Sequence, residues 1–219
     1  MPAFRLRRLR DTLPGMNEIP RPPELRPPDL LRTTQAAEGL MRRRFSVAEI
    51  EAMVAAGVIP EDERFELIGG EVVPMSPKGI RHETLKVSLN MFWAAHLPPE
   101  IAIAPETTFR LSPDSFVEPD FVFYRRADGL AALSPATALL AVEVADSSLA
   151  YDLHRKSRIY AAAGVRAVWV IEAERLVTHV HARPGIDGFA EQRTVGPDEP
   201  LRLDFADDLS LRLADLPPA

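Results

Sequence analysis

Cysteine is absent from the 219 residues, which excludes a disulfide framework, thiol catalysis and any thiolate metal site. Lysine is nearly absent, with three against 23 arginines, so arginine is this chain's ordinary surface cation. No apolar run approaches the ~18 residues that a membrane span requires. The start Arg5-Leu6-Arg7-Arg8-Leu9-Arg10 is basic like a signal peptide, but proline-rich sequence follows where an apolar stretch should be. There is no glycine-rich phosphate loop, no Gly-x-Ser-x-Gly elbow and no aromatic–basic stripe for single-stranded nucleic acid. These absences lead us to expect a soluble, cytoplasmic protein with no membrane partner.

What is present is unevenly charged. The chain carries a net −6, yet residues 1–44 hold ten arginines and five acids, a net +5, leaving −11 on residues 45–219. Seven of the first 40 residues are proline, clustered around Pro20-Arg21-Pro22-Pro23 and Pro27-Pro28. That spacing forbids helix and sheet ladders and predicts a disordered, basic leader over 1–44. A start of translation at Met41 is a second reading of the same segment. Residues 45–219, in a chain that is 46% hydrophobic, suffice for one core, so a single domain is expected there. An acidic body excludes a uniformly basic nucleic-acid binder, and any such contact must be local.

The body begins with a helix signal. Ser46-Val47-Ala48-Glu49 fits a capping box, with Ile50, Met53 and Val54 at helical spacing and Gly57 closing the run. Two short runs, Arg64–Ile68 and Glu71–Met75, joined by Gly69-Gly70 read as a β-hairpin. A long helix is predicted from Ile80 to His96, with Leu85, Leu89, Phe92 and Trp93 on its apolar stripe. Strands are predicted over Thr107–Leu111, Asp120–Tyr124 and Leu139–Ala145, and a helix over Asp152–Ala163 stopped by Gly164. Val168–Ile171 and Leu176–Ala182 read as a strand pair, followed by short strands and turns. Helix, hairpin, helix, three strands, helix and strands is an α/β (α+β) order, with helices packed on a mixed sheet.

Glu143 is the residue that asks for explanation. It lies within Leu139-Leu140-Ala141-Val142-Glu143-Val144-Ala145, an otherwise apolar strand of the kind buried on both faces. An ionised carboxylate there is costly unless paired or bound to a cation. Asp120 opens a second apolar strand in Pro119-Asp120-Phe121-Val122-Phe123-Tyr124. Acids entering neighbouring strands can converge and then repel unless a cation separates them. Oxygen-only ligation of this kind suits Mg²⁺ or Mn²⁺. Lys156 shares a helix face with Asp152 and Tyr160, which points its stem at the sheet and its ammonium towards Glu143. The plainer reading of each stands beside this: a strand-end acid reaching water, a Pro-Asp turn, and an i,i+4 pair of Asp152 with Lys156. His179 and His181 share one strand face, a spacing that can bind Zn²⁺, but they lack a third ligand and read as exposed strand histidines.

Pro119-Asp120, then 23 residues to Glu143 with a lysine nearby, resembles the PD-(D/E)xK nuclease superfamily. More narrowly, the body is similar to the bacterial "putative restriction endonuclease" family within it. The stretches that carry this are Phe65–Val72, Met75-Ser76-Pro77 followed by Arg81-His82, and Pro119-Asp120. They continue with Val142-Glu143-Val144, Asp152 to Lys156 and Tyr160, and Ala163-Gly164-Val165 leading to Trp169-Val170-Ile171. The resemblance implies a restriction-endonuclease-like mixed central sheet flanked by helices. It implies metal ligands at Asp120, Glu143, the Val144 carbonyl and Glu66, and a catalytic lysine at Lys156, carried on a helix. His82 matches a family histidine on the first long helix that faces the site, the plainer reading being a capped surface histidine near the helix start. The strand position two after Glu143, where the superfamily pattern has lysine, is Ala145, and Asp146 adds an acid without an assigned role.

The activity so implied is a Mg²⁺-dependent (or Mn²⁺-dependent) endonuclease, hydrolysing phosphodiester bonds of nucleic acid, with DNA the expected substrate and a homodimer a compatible assembly. Two rival expectations are a nuclease fold that binds nucleic acid or protein without turnover, and a structural protein in which Lys156 lies on Glu143 with no room for an ion.

Overall fold

A computed structural model describes residues 43–217, apart from the side chain of Asp207; the leader expected over 1–44 therefore falls almost wholly outside the described residues. Helix α1 (Val47–Ala55) starts at the expected capping box. Ser46 Oγ accepts the Glu49 N–H at 3.2 Å, and Glu49 Oε2 accepts the Ser46 N–H at 2.9 Å. Strands β1 (Phe65–Ile68) and β2 (Glu71–Pro74) form the hairpin across Gly69 and Gly70, both at positive φ. Gly70 is required on two counts: its φ is 80°, and a Cβ there would stand 2.5 Å from that of Arg44. Strands β4 (Phe109–Ser112) and β5 (Ser115–Val117) complete a four-stranded antiparallel sheet in the order β2-β1-β5-β4. Val47 and Ile50 of α1 pack on Phe65, Leu67 and Phe116 of this sheet. Leu67 points into that cluster, so Glu66, its neighbour along the strand, projects from the opposite face.

The second sheet has six strands, β3 (Ile101–Pro105), β6 (Phe121–Arg125), β7 (Ala138–Ala145), β8 (Ala167–Glu172), β9 (Val177–Gly185) and β10 (Gly188–Val195). Their order is β10-β9-β8-β7-β6-β3. Only β7 and β8 pair in parallel, and a helical segment, α3 (residues 149–162), makes the crossover that such a pair needs. Helix α2 (Ile80–His96) covers one face, where Leu85, Leu89 and Trp93 join Val142, Val144, Trp169 and Ile171. Trp93 meets Phe121 and Phe123 edge-on, with centroids 4.6 and 4.9 Å away. The small sheet of β11 (Leu201–Leu203) and β12 (Ala206–Leu211) adds Leu201, Leu203 and Leu211 to the same cluster. Tyr160 and Ala161 of α3 pack on the other face with Ala141, Ala145, Val168 and Val170.

All eight residues of β7 are buried, as its apolar run predicted. The two-residue period of the strand sends Val142 and Val144 towards α2, and Ala141, Glu143 and Ala145 towards α3. α3 is not one regular helix: Leu149–Tyr151 is α, Asp152–Lys156 is a π turn, and Ser157–Ala162 is α again. π turns are rare and recur at functional sites.

The structure departs from expectation at three places. The long helix ends at His96 as predicted, but β3 follows it, where no strand was expected. The strand expected over Thr107–Leu111 is the shorter, shifted β4, and it turns back through Pro113-Asp114 into β5. Beyond β9, the expected short strands include the eight-residue β10, an edge strand paired along most of its length with β9.

Candidate active site

Glu143, 5% exposed, faces α3, and two side chains of that segment reach its Oε1. Lys156 Nζ stands 2.9 Å away and the Tyr160 hydroxyl donates at 2.5 Å. The same ammonium lies 2.7 Å from Glu66 Oε1, so one lysine bridges an acid from each sheet. Glu66 Oε1 also accepts the Glu118 N–H at 3.1 Å. Asp152, one π turn before Lys156, is buried and accepts from Ser148 Oγ at 2.6 Å.

Asp120 sits one residue before β6 and is 3% exposed. Its Oδ2 accepts the Val144 N–H at 2.8 Å, which ties it to the strand carrying Glu143. His82 Nε2, from the first turn of α2, lies 3.1 Å from the carboxylate, and Lys78 Nζ, from the loop before α2, lies 2.8 Å from Oδ1. His82 is buried, so the reading that makes it a surface histidine is corrected: its ring turns inward to the Asp120 carboxylate. Tyr160, Lys156, Glu66 and Glu143 thus form one group, and Asp120, His82 and Lys78 another. The Val144 amide joins them, and all these residues except Tyr160 line a single cavity of about 360 Å³.

The electrostatics of the two groups differ. Burial pushes Glu143 up to about 8, against the pull of Lys156, and the charges of Asp152, Asp120 and Glu66 push the same way. Burial also raises Asp152, to about 6. For Asp120 burial acts upward too, but the His82 hydrogen bond and the charges of His82 and Lys78 outweigh it and bring it down to about 2. Lys156 is disfavoured by burial, yet Glu143, Glu66 and Asp152 together carry it above the ordinary lysine range, so it remains an ammonium. A carboxyl whose proton affinity is raised this far beside three further acids marks a surplus of negative potential. That surplus, made of oxygen donors only, fits a hard divalent cation. As the side chains stand, no three His, Asp or Glu groups among the described residues surround one point closely enough to hold an ion. The reason is visible in the pairs: ammonium groups of Lys156 and Lys78 rest on the carboxylates.

The residues singled out in the sequence are therefore brought together, and the contact of Lys156 with Glu143 is direct. Lys156 lies on Glu143, as the structural rival expects, and a cavity lined by both residues lies alongside. Sequence reasoning missed Lys78 and its second partner Glu106, 2.6 Å from the ammonium. The scarcity of lysine was the available signal, since all three lysines of the chain stand among these acids. Asp146, without an assigned role in the sequence, lines the cavity and lies 3.5 Å from Arg81 Nε. His179 is not a free metal ligand: its Nε2 lies 2.7 Å from Glu172 Oε1, while His181 is buried.

A mixed sheet flanked by helices, with acids at the adjoining ends of two central strands and a lysine from the crossover helix, defines a restriction-endonuclease-like fold. The chain belongs to the family Uma2, described as "Putative restriction endonuclease", whose profile matches residues 47–214. No curated protein matches the chain. Among solved structures, a "putative nuclease belonging to DUF820" from Anabaena variabilis superposes with a TM-score of 0.61 over 78% of this chain and 96% of its own. Its sequence is 16% identical, so the likeness is one of fold.

Proposed function

We propose that the protein is a metal-dependent endonuclease that hydrolyses phosphodiester bonds, with DNA as substrate. The observation that carries this is the convergence of Glu66, Asp120 and Glu143 with Lys156 on one cavity, in a chain whose family is described as nucleases. Asp120, Glu143, the Val144 carbonyl and Glu66 would hold Mg²⁺ or Mn²⁺. Such an ion supplies Lewis-acid polarisation of the phosphate and a more acidic bound water.

The chain's own residues account for the rest. Val144 N–H and His82 fix the Asp120 carboxylate, so its position does not depend on the ion. Tyr160 orients Glu143 through its hydroxyl. Lys156 stays protonated and so is a donor rather than a base. It holds the attacking water or stabilises charge developing on the phosphate oxygens. Ser76, Ser147 and Ser148 line the same cavity and are exposed, so substrate would reach these groups past them.

A Mg²⁺- and Mn²⁺-dependent cleavage assay over duplex, single-stranded and branched DNA and over RNA, run beside Glu143→Ala, tests the reading. Cleavage by the parent that is lost in the variant is expected, and equal cleavage by both would overturn the assignment. The ion pairs of Lys156 also favour a second reading, a nuclease fold that binds nucleic acid without turnover. Metal-independent DNA binding with no cleavage under any condition is its signature.

A further inference from the structure

Lys78 has no place in the mechanism above, yet its ammonium lies on a proposed metal ligand. It is 85% buried, stands 2.8 Å from Asp120 Oδ1 and, at the same time, 2.6 Å from Glu106 Oε1. Asp120 does not need it as an anchor, since His82 and the Val144 amide already hold that carboxylate. Glu106 is itself unusual. Its φ of 47° is in the left-handed region, a conformation that costs a non-glycine residue on the order of 1 kcal/mol or more. Its N–H donates to the Asp120 carbonyl at 3.2 Å, and its carboxylate is also held by Lys86 at 3.0 Å. The strained backbone thus presents a second acceptor for Lys78 right beside the first. The residue type matters as well. In a chain that uses arginine elsewhere, a lysine offers a single compact charge on a flexible stem, able to move between two acceptors without breaking a bidentate fork.

We infer that Lys78 is an exchangeable counter-ion of the site: it neutralises Asp120 in the absence of a divalent cation, competes with that cation for the carboxylate, and when displaced is retained by Glu106, from where it meets a phosphate of the substrate. The inference rests on the metal-dependent reading proposed above. It gives the loop before α2 a task, which is to carry a positive charge from ligand to substrate as the site loads. Lys86, which touches Glu106 and Glu83 but not Asp120, has no such task.

Calorimetric titration of Mn²⁺ into the metal-free protein reads this directly, without any turnover. Lys78→Gln removes the competitor and should tighten Mn²⁺ binding about tenfold, within the span usual for coupled binding events. Lys86→Gln should change it less than twofold, which separates competition at Asp120 from a general loss of positive charge. Lys78→Arg keeps a charge and should bind Mn²⁺ no more tightly than the parent. In cleavage, Lys78→Gln should show a raised KM together with its tighter metal binding, a pairing that a merely structural support would not give. Mn²⁺ binding by the parent with no gain in Lys78→Gln would overturn the inference alone. A parent that binds no Mn²⁺ would overturn the metal-site reading and the inference with it.

Discussion

Tyr160 donates its hydroxyl to the same oxygen of Glu143 that Lys156 approaches, four residues earlier on the same segment. Two donors from one helix face therefore converge on one buried acceptor. Tyr160→Phe keeps the packing and removes only the hydroxyl, so it should lower stability by about 1–3 kcal/mol, the range for taking a partner from a buried polar group. Urea denaturation measures this, and a neutral result would mean that the hydroxyl is not a real partner of Glu143.

Breaking the ion pair one side at a time should do more. Lys156→Met strands Glu143 and Glu66 without their common partner, and a loss of about 3–5 kcal/mol is expected. Adding Glu143→Gln to that variant should recover part of the loss, because the neutral amide no longer demands a cation. The sum of the two single effects should therefore exceed that of the double variant in a denaturation cycle.

The metal-free protein should lose stability as pH rises from about 5 to 8. Glu143 at about 8 and Asp152 at about 6 lie above their ordinary values of 4.5 and 3.8. Across that window the folded chain retains protons that the unfolded chain has released, and each group then costs up to about 1.4 kcal/mol per pH unit. Lys156 does not offset the slope, since its stabilisation is fully present throughout this range. Thermal unfolding from pH 5 to 8.5 should show the decline, and Glu143→Gln should flatten it above pH 6. Mg²⁺ should raise the unfolding temperature more at pH 8 than at pH 6, because it binds the deprotonated acids. An unfolding temperature that climbs with pH would contradict the burial of these carboxyls.

Gly70→Ala probes the frame that holds Glu66. A Cβ at φ 80° would also stand 2.5 Å from the Arg44 Cβ and 2.9 Å from the Phe45 carbonyl. A loss of about 1–3 kcal/mol is expected from the backbone conformation alone. Gly57→Ala, with a positive φ but open space around it, should lose less. Comparing the two midpoints isolates the steric part.

Glu143 and Lys156 were legible in the sequence because burial makes an acid in an apolar strand conspicuous and helical spacing shows which face carries the lysine. The pairing of β8 with β9 was legible too, since two short apolar runs follow each other across a tight connection, whereas the parallel pairing of β7 with β8 was not read. Lys78 was not legible: it sits in a loop without periodicity, and Glu106 lies 28 residues away. β3 escaped because Ile101-Ala102-Ile103-Ala104 has small residues on alternate positions and little contrast between faces. β10 escaped because six of its eight residues, Ala190–Thr194 among them, are not buried, which leaves an edge strand almost no alternation to read.

The π turn over Asp152–Lys156 acts as a phase adjustment. In an α-helix each fourth residue drifts about 40° around the axis, so Asp152 and Tyr160 would be splayed about 80° apart. A wider turn between Asp152 and Lys156 winds back by a similar angle before the α turns resume. Asp152, Lys156 and Tyr160 are thereby brought into a single column, and all three are buried. The extra residue works like a frameshift in the spatial reading of the helix. Deleting one residue from this turn would regularise the backbone hydrogen bonding, yet rotate everything downstream by roughly 100°. The length of this segment, as much as the identity of its residues, then keeps the charged column opposite the sheet.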